Sequence, residues 1–472
     1  MRPHSISFAF FFLLAVACGG GDAATDPTPE APVVGPVVRT APNVTLAAVV
    51  GSPFSYDLSR SGATFTDPAG GTLTYAVTLT GASGLSATGA LVGGTPTSPG
   101  VYTAVVTARD SRGNSATDTC SIVVFAAGLT TPLLPASALA YSDLTAPLPQ
   151  HFRTGGGPGG PVINTDNTPA SNLTTDAGAT LGRVLFYDPR LSANDAVSCG
   201  SCHVQSVGFA DTARFSRGIN GARTPRHSMP LGNARFYQRG RFFWDERAAT
   251  LEEQVLQPIQ DPGEMALSLP HAVTKVEVSA FYAPLFTAAF GSPEVTSDRI
   301  ARALSQFVRS MVTSRSKHDA AFAVPGPPNF AGVFTAQELE GFTLFTGLGG
   351  CARCHATDAH VGVNVMNNGL DAVITDQGAG GGRFKAPSLR NVGTRNHFMH
   401  DGRFTTLDQV IEHYDSGVRV SPTVDQRLLA PNGQPLRLNL SAGQRAALVA
   451  YLHTLTDQTF LTDVRFSDPF GR

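Results

Sequence analysis

The chain has 472 residues, enough for two or three domains. Hydrophobic residues make up 42% and charged residues 15%, which fits a chain that buries cores and excludes a disordered one. A formal net charge of −2 excludes the basic surplus of a nucleic-acid footprint, so no nucleic-acid partner is expected. It leaves room for a protein electron donor, which needs only a local patch of charge.

The N-terminus reads as a targeting segment. Arg2 and His4 precede the apolar run Phe8 to Ala17, which is too short to span a bilayer. The run ends Leu14-Ala15-Val16-Ala17-Cys18 before three glycines. This resembles a bacterial lipoprotein signal over residues 1–18, in which cleavage exposes Cys18 for acylation. Ala15 stands where leucine is usual, so a plain secretory signal is the alternative. Either way the chain is exported: a periplasmic or outer-membrane-anchored lipoprotein of a Gram-negative-type bacterium, touching the membrane through its lipid only.

Residues 19–43 are rich in Pro, Ala and Thr and read as an extended tether. From 44 to 126 short alternating runs take over, separated by turn residues such as Asp67-Pro68-Ala69-Gly70-Gly71 and Pro99-Gly100. Leu73, Tyr75, Val77 and Leu79 share one strand face, and Cys120, Ile122 and Val124 share another. The expectation is a small β-sandwich with Cys120 as a buried free thiol. Phe65-Thr66-Asp67 and Gly94-Thr95-Pro96 resemble cadherin-like, putative immunoglobulin modules of bacterial surface proteins. That resemblance implies a spacer or weak adhesion role.

Residues 127–165, centred on Gly155 to Gly160, read as a second linker. Helical patterning follows around Leu181, and then comes Cys199-Gly200-Ser201-Cys202-His203. In a C-x-x-C-H run each thiol adds across a haem vinyl group and the histidine becomes the proximal iron ligand. The run recurs as Cys351-Ala352-Arg353-Cys354-His355, so two covalently bound haem c groups are expected. Two C-x-x-C pairs can also hold one zinc ion, but zinc ribbons space their pairs more tightly and need no histidine after each. A dithiol redox pair is the third reading.

Helices are expected over 297–314, with Ile300, Leu304, Phe307, Val308 and Met311 on one stripe, and after two capping boxes. Thr335-Ala336-Gln337-Glu338 leads into Leu339, Phe342 and Phe345; Ser441-Ala442-Gly443-Gln444 leads into Leu448, Tyr451, Leu452 and Leu455. A further helix over 407–415 aligns Leu407, Val410, Ile411 and Tyr414. The Gly378-to-Gly382 run precedes no strand–helix unit and reads as a loop. The fold class is therefore mixed: a β-sandwich followed by two mainly α-helical, cytochrome-c-like haem domains, 166–330 and 331–468.

Ordered blocks around the motifs carry a resemblance to one family. Leu181-Gly182-Arg183-Val184-Leu185-Phe186-Tyr187-Asp188 precedes the first motif, and Phe242-Phe243-Trp244-Asp245-Glu246-Arg247-Ala248, Leu251-Glu252-Glu253-Gln254 and Glu264-Met265 follow it. Phe384-Lys385-Ala386-Pro387-Ser388-Leu389-Arg390-Asn391 and His400-Asp401-Gly402 follow the second. From about Leu144 to Asp468 the chain resembles the bacterial di-haem cytochrome c peroxidases and their MauG-type relatives.

The resemblance implies that Glu264 is the acid–base group of the first haem, with Gln254 and Pro258 shaping its pocket. Read alone, Glu264 is a surface carboxylate and Gln254 a helix-surface amide. It also implies that Trp244, the single tryptophan, relays electrons between haems; read alone, it is a core aromatic. The second haem's distal ligand is expected to be Tyr414, as in MauG-type proteins, or Met399, beside His400; the remaining alternative is another ligand, with Tyr414 a core tyrosine. Two departures stand out. The loop Gly218-Ile219-Asn220-Gly221 lacks the histidine that blocks the first iron in classical members, so that iron is expected to be five-coordinate or water-ligated. Arg226 is followed by His227 where the family's inter-haem calcium takes an asparagine oxygen, which puts Ca²⁺ in doubt. The other histidines carry no assigned role and are surface or hydrogen-bonded by default.

The implied activity is reduction of hydrogen peroxide to water with electrons from a small c-type cytochrome or cupredoxin. The rival readings are a MauG-type oxidase of a protein substrate, a non-catalytic electron-transfer cytochrome, and an adhesion protein with a vestigial haem domain.

Overall fold

The computed structural model describes residues 35–81, 84–135, 139–142, 148–155, 160–323 and 326–471; the signal segment and Cys18 lie outside them. The N-terminal part is a two-sheet sandwich. One sheet runs β2 (Leu46–Val49), β9 (Ser115–Phe125), β8 (Gly100–Arg109), β5 (Thr74–Thr80), with β2 parallel to β9 and the other pairs antiparallel. The other runs β3 (Phe54–Asp57), β7 (Leu91–Gly94), β6 (Leu85–Thr88). Alternation places Ala104, Val106, Ala108, Cys120, Ile122 and Val124 inside, against Leu85 and Val92. Tyr75, Val77 and Leu79 pack half-buried on the same core. Cys120 is buried and unpaired, and burial pushes its thiol up to about 11.

The sandwich starts earlier than the composition suggested. Val37 is in its core, and β1 (Val38–Arg39) pairs with β4 (Phe65–Thr66), so the end of the expected tether is structured. Arg39 explains part of this, because its guanidinium pairs with the buried carboxylate of Asp118 at 2.7 Å. At the other end, β9 runs into the helical part. Ala126 N–H donates to the Asp195 carboxylate at 2.8 Å, and the Arg190 guanidinium lies 5.5 Å from the Phe125 ring centre. This contact explains why Val123, on the outward face of β9, is also fully buried.

The expected second linker is likewise partly built into the fold. Tyr141 is fully buried and donates to the Arg465 carbonyl, while α1 (Gln150–Thr154) buries His151 and Phe152. His151 meets Asp319 at 2.8 Å, and Arg390 holds the same carboxylate, so three distant segments share one buried charge cluster.

Two helical cores follow, each organised by a close helix crossing. In the first, α2 (Asp176–Tyr187) lies against α7 (Ser297–Ser310). A Cβ on Gly182 would sit 2.0 Å from the Ala303 carbonyl, so only glycine permits this approach. In the second, α8 (Ala336–Thr346) lies against α10 (Ala442–His453), with Gly341 meeting the Ala447 carbonyl in the same way. Both capping boxes form, and the stripes from Ile300 to Met311 and from Leu448 to Leu455 are buried. Helix α7 stops at Ser310, short of the expected 314. Beyond it the Asp457 carboxylate accepts the N–H groups of Ser314 and Arg315, which ends the helix.

The boundary near 330 does not separate two spatial units cleanly. Phe460, Leu461, Phe466 and Phe470 belong to the first helical core, and the Tyr187 hydroxyl donates to the Phe466 carbonyl at 2.6 Å. The C-terminal tail thus returns to the first domain and ties the two together.

Candidate functional site

Each Cys-x-x-Cys-His run folds as one tight helical turn. Cys199–Cys202 (α3) is α-helical, closed by a reciprocal cap between Ser198 and Ser201, and Cys351–Arg353 is a 3₁₀ turn. In both, the histidine N–H bonds back to the first cysteine's carbonyl at 3.0 Å. All four thiols are unpaired. His203 Nδ1 then donates to the Phe209 carbonyl at 2.8 Å and His355 Nδ1 to the His360 carbonyl at 3.1 Å. Phe209 and His360 both hold positive φ, 61° and 52°. A bulky side chain there is strained, and in each case the strain aims a carbonyl at the ring of the motif histidine. Such a bond fixes the tautomer and orientation of a ligating imidazole.

The two motifs line two different cavities, with about 1370 and 1430 Å³ of empty space including their mouths. The first is lined by Cys199, Cys202, His203, Gln254, Pro258 and Glu264, and the second by Cys351, Cys354, His355, Met399, His400 and Tyr414. Their separation removes the single-zinc reading. Among the described residues no three His, Cys, Asp or Glu side chains converge as a metal site. Paired thiols, an anchored imidazole and a large apolar cavity fit a haem in each half.

Helix α4 (Leu251–Gln260), capped by Thr250, lines the cavity with Leu251, Gln254, Val255 and Pro258, and Leu251, Val255 and Ile259 also join the core. The turn after it brings Glu264 to the same cavity. Burial raises the Glu264 carboxyl to about 7; Asp261 adds to the rise and Arg247 opposes it. The loop Gly218–Gly221 packs directly on this turn. Ile219 N–H donates to the Glu264 carbonyl at 2.9 Å, and a Cβ on Gly218 would lie 1.9 Å from the Gly263 carbonyl. The other histidine lining the first cavity is His227, whose ring is held by the Arg214 carbonyl at 3.1 Å.

Trp244 lines both cavities, as do His227, Pro230 and Lys385. Its indole N–H donates to the His227 carbonyl at 2.7 Å, and its own carbonyl accepts from Lys385 N–H at 2.8 Å. The indole therefore has a fixed position between the two compartments. Arg226, beside it, is held by Asp245 and Asp376.

In the second cavity, helix α9 (Leu407–Glu412) ends earlier than 415 and widens into a π turn, His413–Gly417. The wider turn lets His413 bury its ring against the Asn368 carbonyl at 3.0 Å while Tyr414 lines the cavity. Asn368 Nδ2 lies 3.3 Å from Met399 Sδ and 3.5 Å from the Tyr414 hydroxyl, so both proposed ligands meet at one amide. Burial pushes the Tyr414 phenol up to about 12. His400 stacks on Phe384, ring centres 3.6 Å apart.

The two halves repeat one another in a way that sequence reading passed over. Phe242 pairs with Ala248 across its loop as Phe398 pairs with Phe404 across the other, and Phe243 and Met399 have matching positive φ values, 66° and 70°. In this register Trp244 matches His400, Leu251 matches Leu407, and Pro258 matches Tyr414. The first cavity thus has a side chain without a donor atom where the second has a phenol. Asn368, Lys385 and Arg395 were also missed as cavity residues, because Asn368 and Arg395 lie in loops and Lys385 in a strand of two residues, none long enough to show a period.

Paired attachment motifs in twin cavities, bridged by one indole, fit the class of c-type di-haem proteins. Comparison with known proteins agrees. A family model described as di-haem cytochrome c peroxidase matches residues 176–324, and a putative Ig domain model matches residues 35–125. The methylamine utilization protein MauG of Methylorubrum extorquens is 35% identical over 298 residues, 61% of this chain and 80% of that one. The cytochrome c551 peroxidase of Nitrosomonas europaea is 36% identical over 246 residues, 50% of this chain and 71% of that one. The crystal structure of a MauG-like protein associated with microbial copper homeostasis superposes with a TM-score of 0.58 at 30% identity, covering 69% of this chain and 99% of that one. The chain belongs to the di-haem cytochrome c peroxidase/MauG family.

Proposed function

We propose that this chain binds two haem c groups covalently and reduces hydrogen peroxide to water, with electrons from a small c-type cytochrome or cupredoxin. Cys199, Cys202 and His203 would hold one group, and Cys351, Cys354 and His355 the other, with Tyr414 available as a further iron ligand. Bound haem supplies an iron that exchanges single electrons and activates the peroxide O–O bond.

The observation that carries the reading is the state of Glu264, a carboxylate in the first cavity with its carboxyl raised to about 7. A group poised near neutrality can take the proton from the near peroxide oxygen and deliver it to the leaving one. The two water molecules then require two protons and two electrons in total. Gln254 and Pro258 narrow and dry the space around that transfer, and Trp244 provides a π-system between the compartments. Export through the segment ending at Cys18 belongs to the same proposal, since it delivers the chain to the compartment of such donors.

One observation favours a second reading, a MauG-type oxidase acting on a protein substrate: Tyr414, rather than Met399 alone, reaches the second cavity. A single experiment separates them. The purified ferric protein is mixed with hydrogen peroxide, with and without a reduced small cytochrome. Catalytic oxidation of the cytochrome supports the peroxidase. Spectral bleaching of the haems by peroxide with no cytochrome turnover supports the oxidase, and the absence of any haem, by pyridine haemochrome, refutes both.

A further inference from the structure

The junction between the two cavities holds two cationic side chains, Arg395 and Lys385, that form no ion pair among the described residues. Arg395 lines the second cavity, and two backbone carbonyls, Ser388 at 2.9 Å and Arg390 at 2.7 Å, take its Nη2. Its Nε is buried with no hydrogen-bond partner, and among the described residues it has no ion pair. Burial alone pushes the guanidinium down to about 9, with no nearby carboxylate to offset it. Lys385 is similar: fully enclosed, it rests its ammonium 4.0 Å from the Tyr237 ring centre, and its polar contact is a 3.4 Å approach to the Arg241 carbonyl. The nearest carboxylate acting on it, Glu246, is already held by Tyr237 and Arg239. The carboxylates lining the cavities are Glu264 and Asp425, and Arg427 holds Asp425 at 2.7 Å. His227 and His397 complete the junction, ring centres 5.6 Å apart, and the His227 Nε2 is buried without a partner.

An uncompensated buried cation is costly, and a cavity-facing one signals that its counter-ion arrives with the occupant. We propose that Arg395 and Lys385 form a carboxylate receptor, taking the propionate groups of the haem in the second cavity. Fixed positive charge at the junction thereby takes the place of a divalent cation. Nη2 is taken by the two carbonyls, so the guanidinium offers a charge-assisted contact through its remaining N–H groups. This rests on the di-haem reading above.

The test uses the full holoprotein and the variants Arg395→Gln, Arg395→Lys and Lys385→Gln. Pyridine haemochrome on the parent comes first: fewer than two haems refutes the di-haem reading itself. Given two haems, Arg395→Gln is expected to shift the reduction equilibrium of the second haem about tenfold toward the oxidised form, 59 mV for a one-electron couple. It is also expected to move the propionate bending mode in resonance Raman spectra. Arg395→Lys restores most of both, and a chelator leaves the parent unchanged. Should Arg395→Gln fail to accumulate, Lys385→Gln gives the same two readouts. Parental potential and Raman mode in a variant retaining both haems would overturn the proposal. So would stoichiometric calcium whose removal alters the spectra.

Discussion

Replacing Glu264 by Gln tests the proposed chemistry and the energetics of the site together. In the folded chain this carboxyl keeps its proton up to about pH 7, because burial outweighs the opposing charge of Arg247. If the ionised form accepts the peroxide proton, the rate constant follows the ionised fraction. It should then be about fivefold lower at pH 6 than at pH 7, and about twofold higher at pH 8. Glu264→Gln should lower it by roughly 10²–10⁴-fold and abolish that ionisation.

The same shift carries a stability consequence with a definite sign. An unfolded glutamate releases its proton near pH 4.5, so the folded state binds the proton more tightly between there and about pH 7. The favourable contribution is complete below pH 4.5 and is lost as pH rises through 7. For a fully shielded group the loss is on the order of 3 kcal/mol, and about half that with access to the cavity. Glu264→Gln never ionises. The variant should therefore match the parent in thermal unfolding at pH 4.5 and exceed it at pH 8, while reacting slowly with peroxide. Stopped-flow of the Soret band from pH 5 to 9, with melting curves at both ends, provides the measurement. A pH-independent parental rate, or a variant as fast as the parent, would refute the assignment.

Three further outcomes follow from the geometry. Trp244→Phe should leave peroxide binding at the first haem intact but slow the spread of oxidising equivalents to the second, measured by rapid-scan spectroscopy; unchanged transfer would make the indole a packing residue. The ferric protein should show a high-spin first haem in electron paramagnetic resonance and react with peroxide without prior reduction, since the loop before Gly221 offers no histidine and His227 is anchored to Arg214. A wholly low-spin spectrum would contradict this. Gly218→Ala should displace the Glu264 turn through the 1.9 Å overlap with Gly263 and lower the peroxide rate at least tenfold with both haems retained; a parental rate would show that the turn tolerates the shift.

The sequence by itself determined what depends on local order. The pentapeptides at Cys199 and Cys351 were legible as single turns bringing two thiols and an imidazole together, because that arrangement is set within five residues. Capping boxes at Thr335 and Ser441 and the stripe along α7 were legible for the same reason, since hydrogen bonds and periodicity within a few residues specify them. Alternation likewise gave the sandwich, though not Val37 to Arg39, which are held by long-range pairing with Phe65, Thr66 and Asp118. Only the tertiary structure decided the rest. It returned the tail at Phe460 to the first core, and placed Trp244, His227 and Lys385 on both cavities. It also set Pro258 against Tyr414 as counterparts and left Arg395 lining a cavity with no ion pair among the described residues. Those positions are set by packing between segments far apart in the chain, and loop residues carry no period from which their direction could be read.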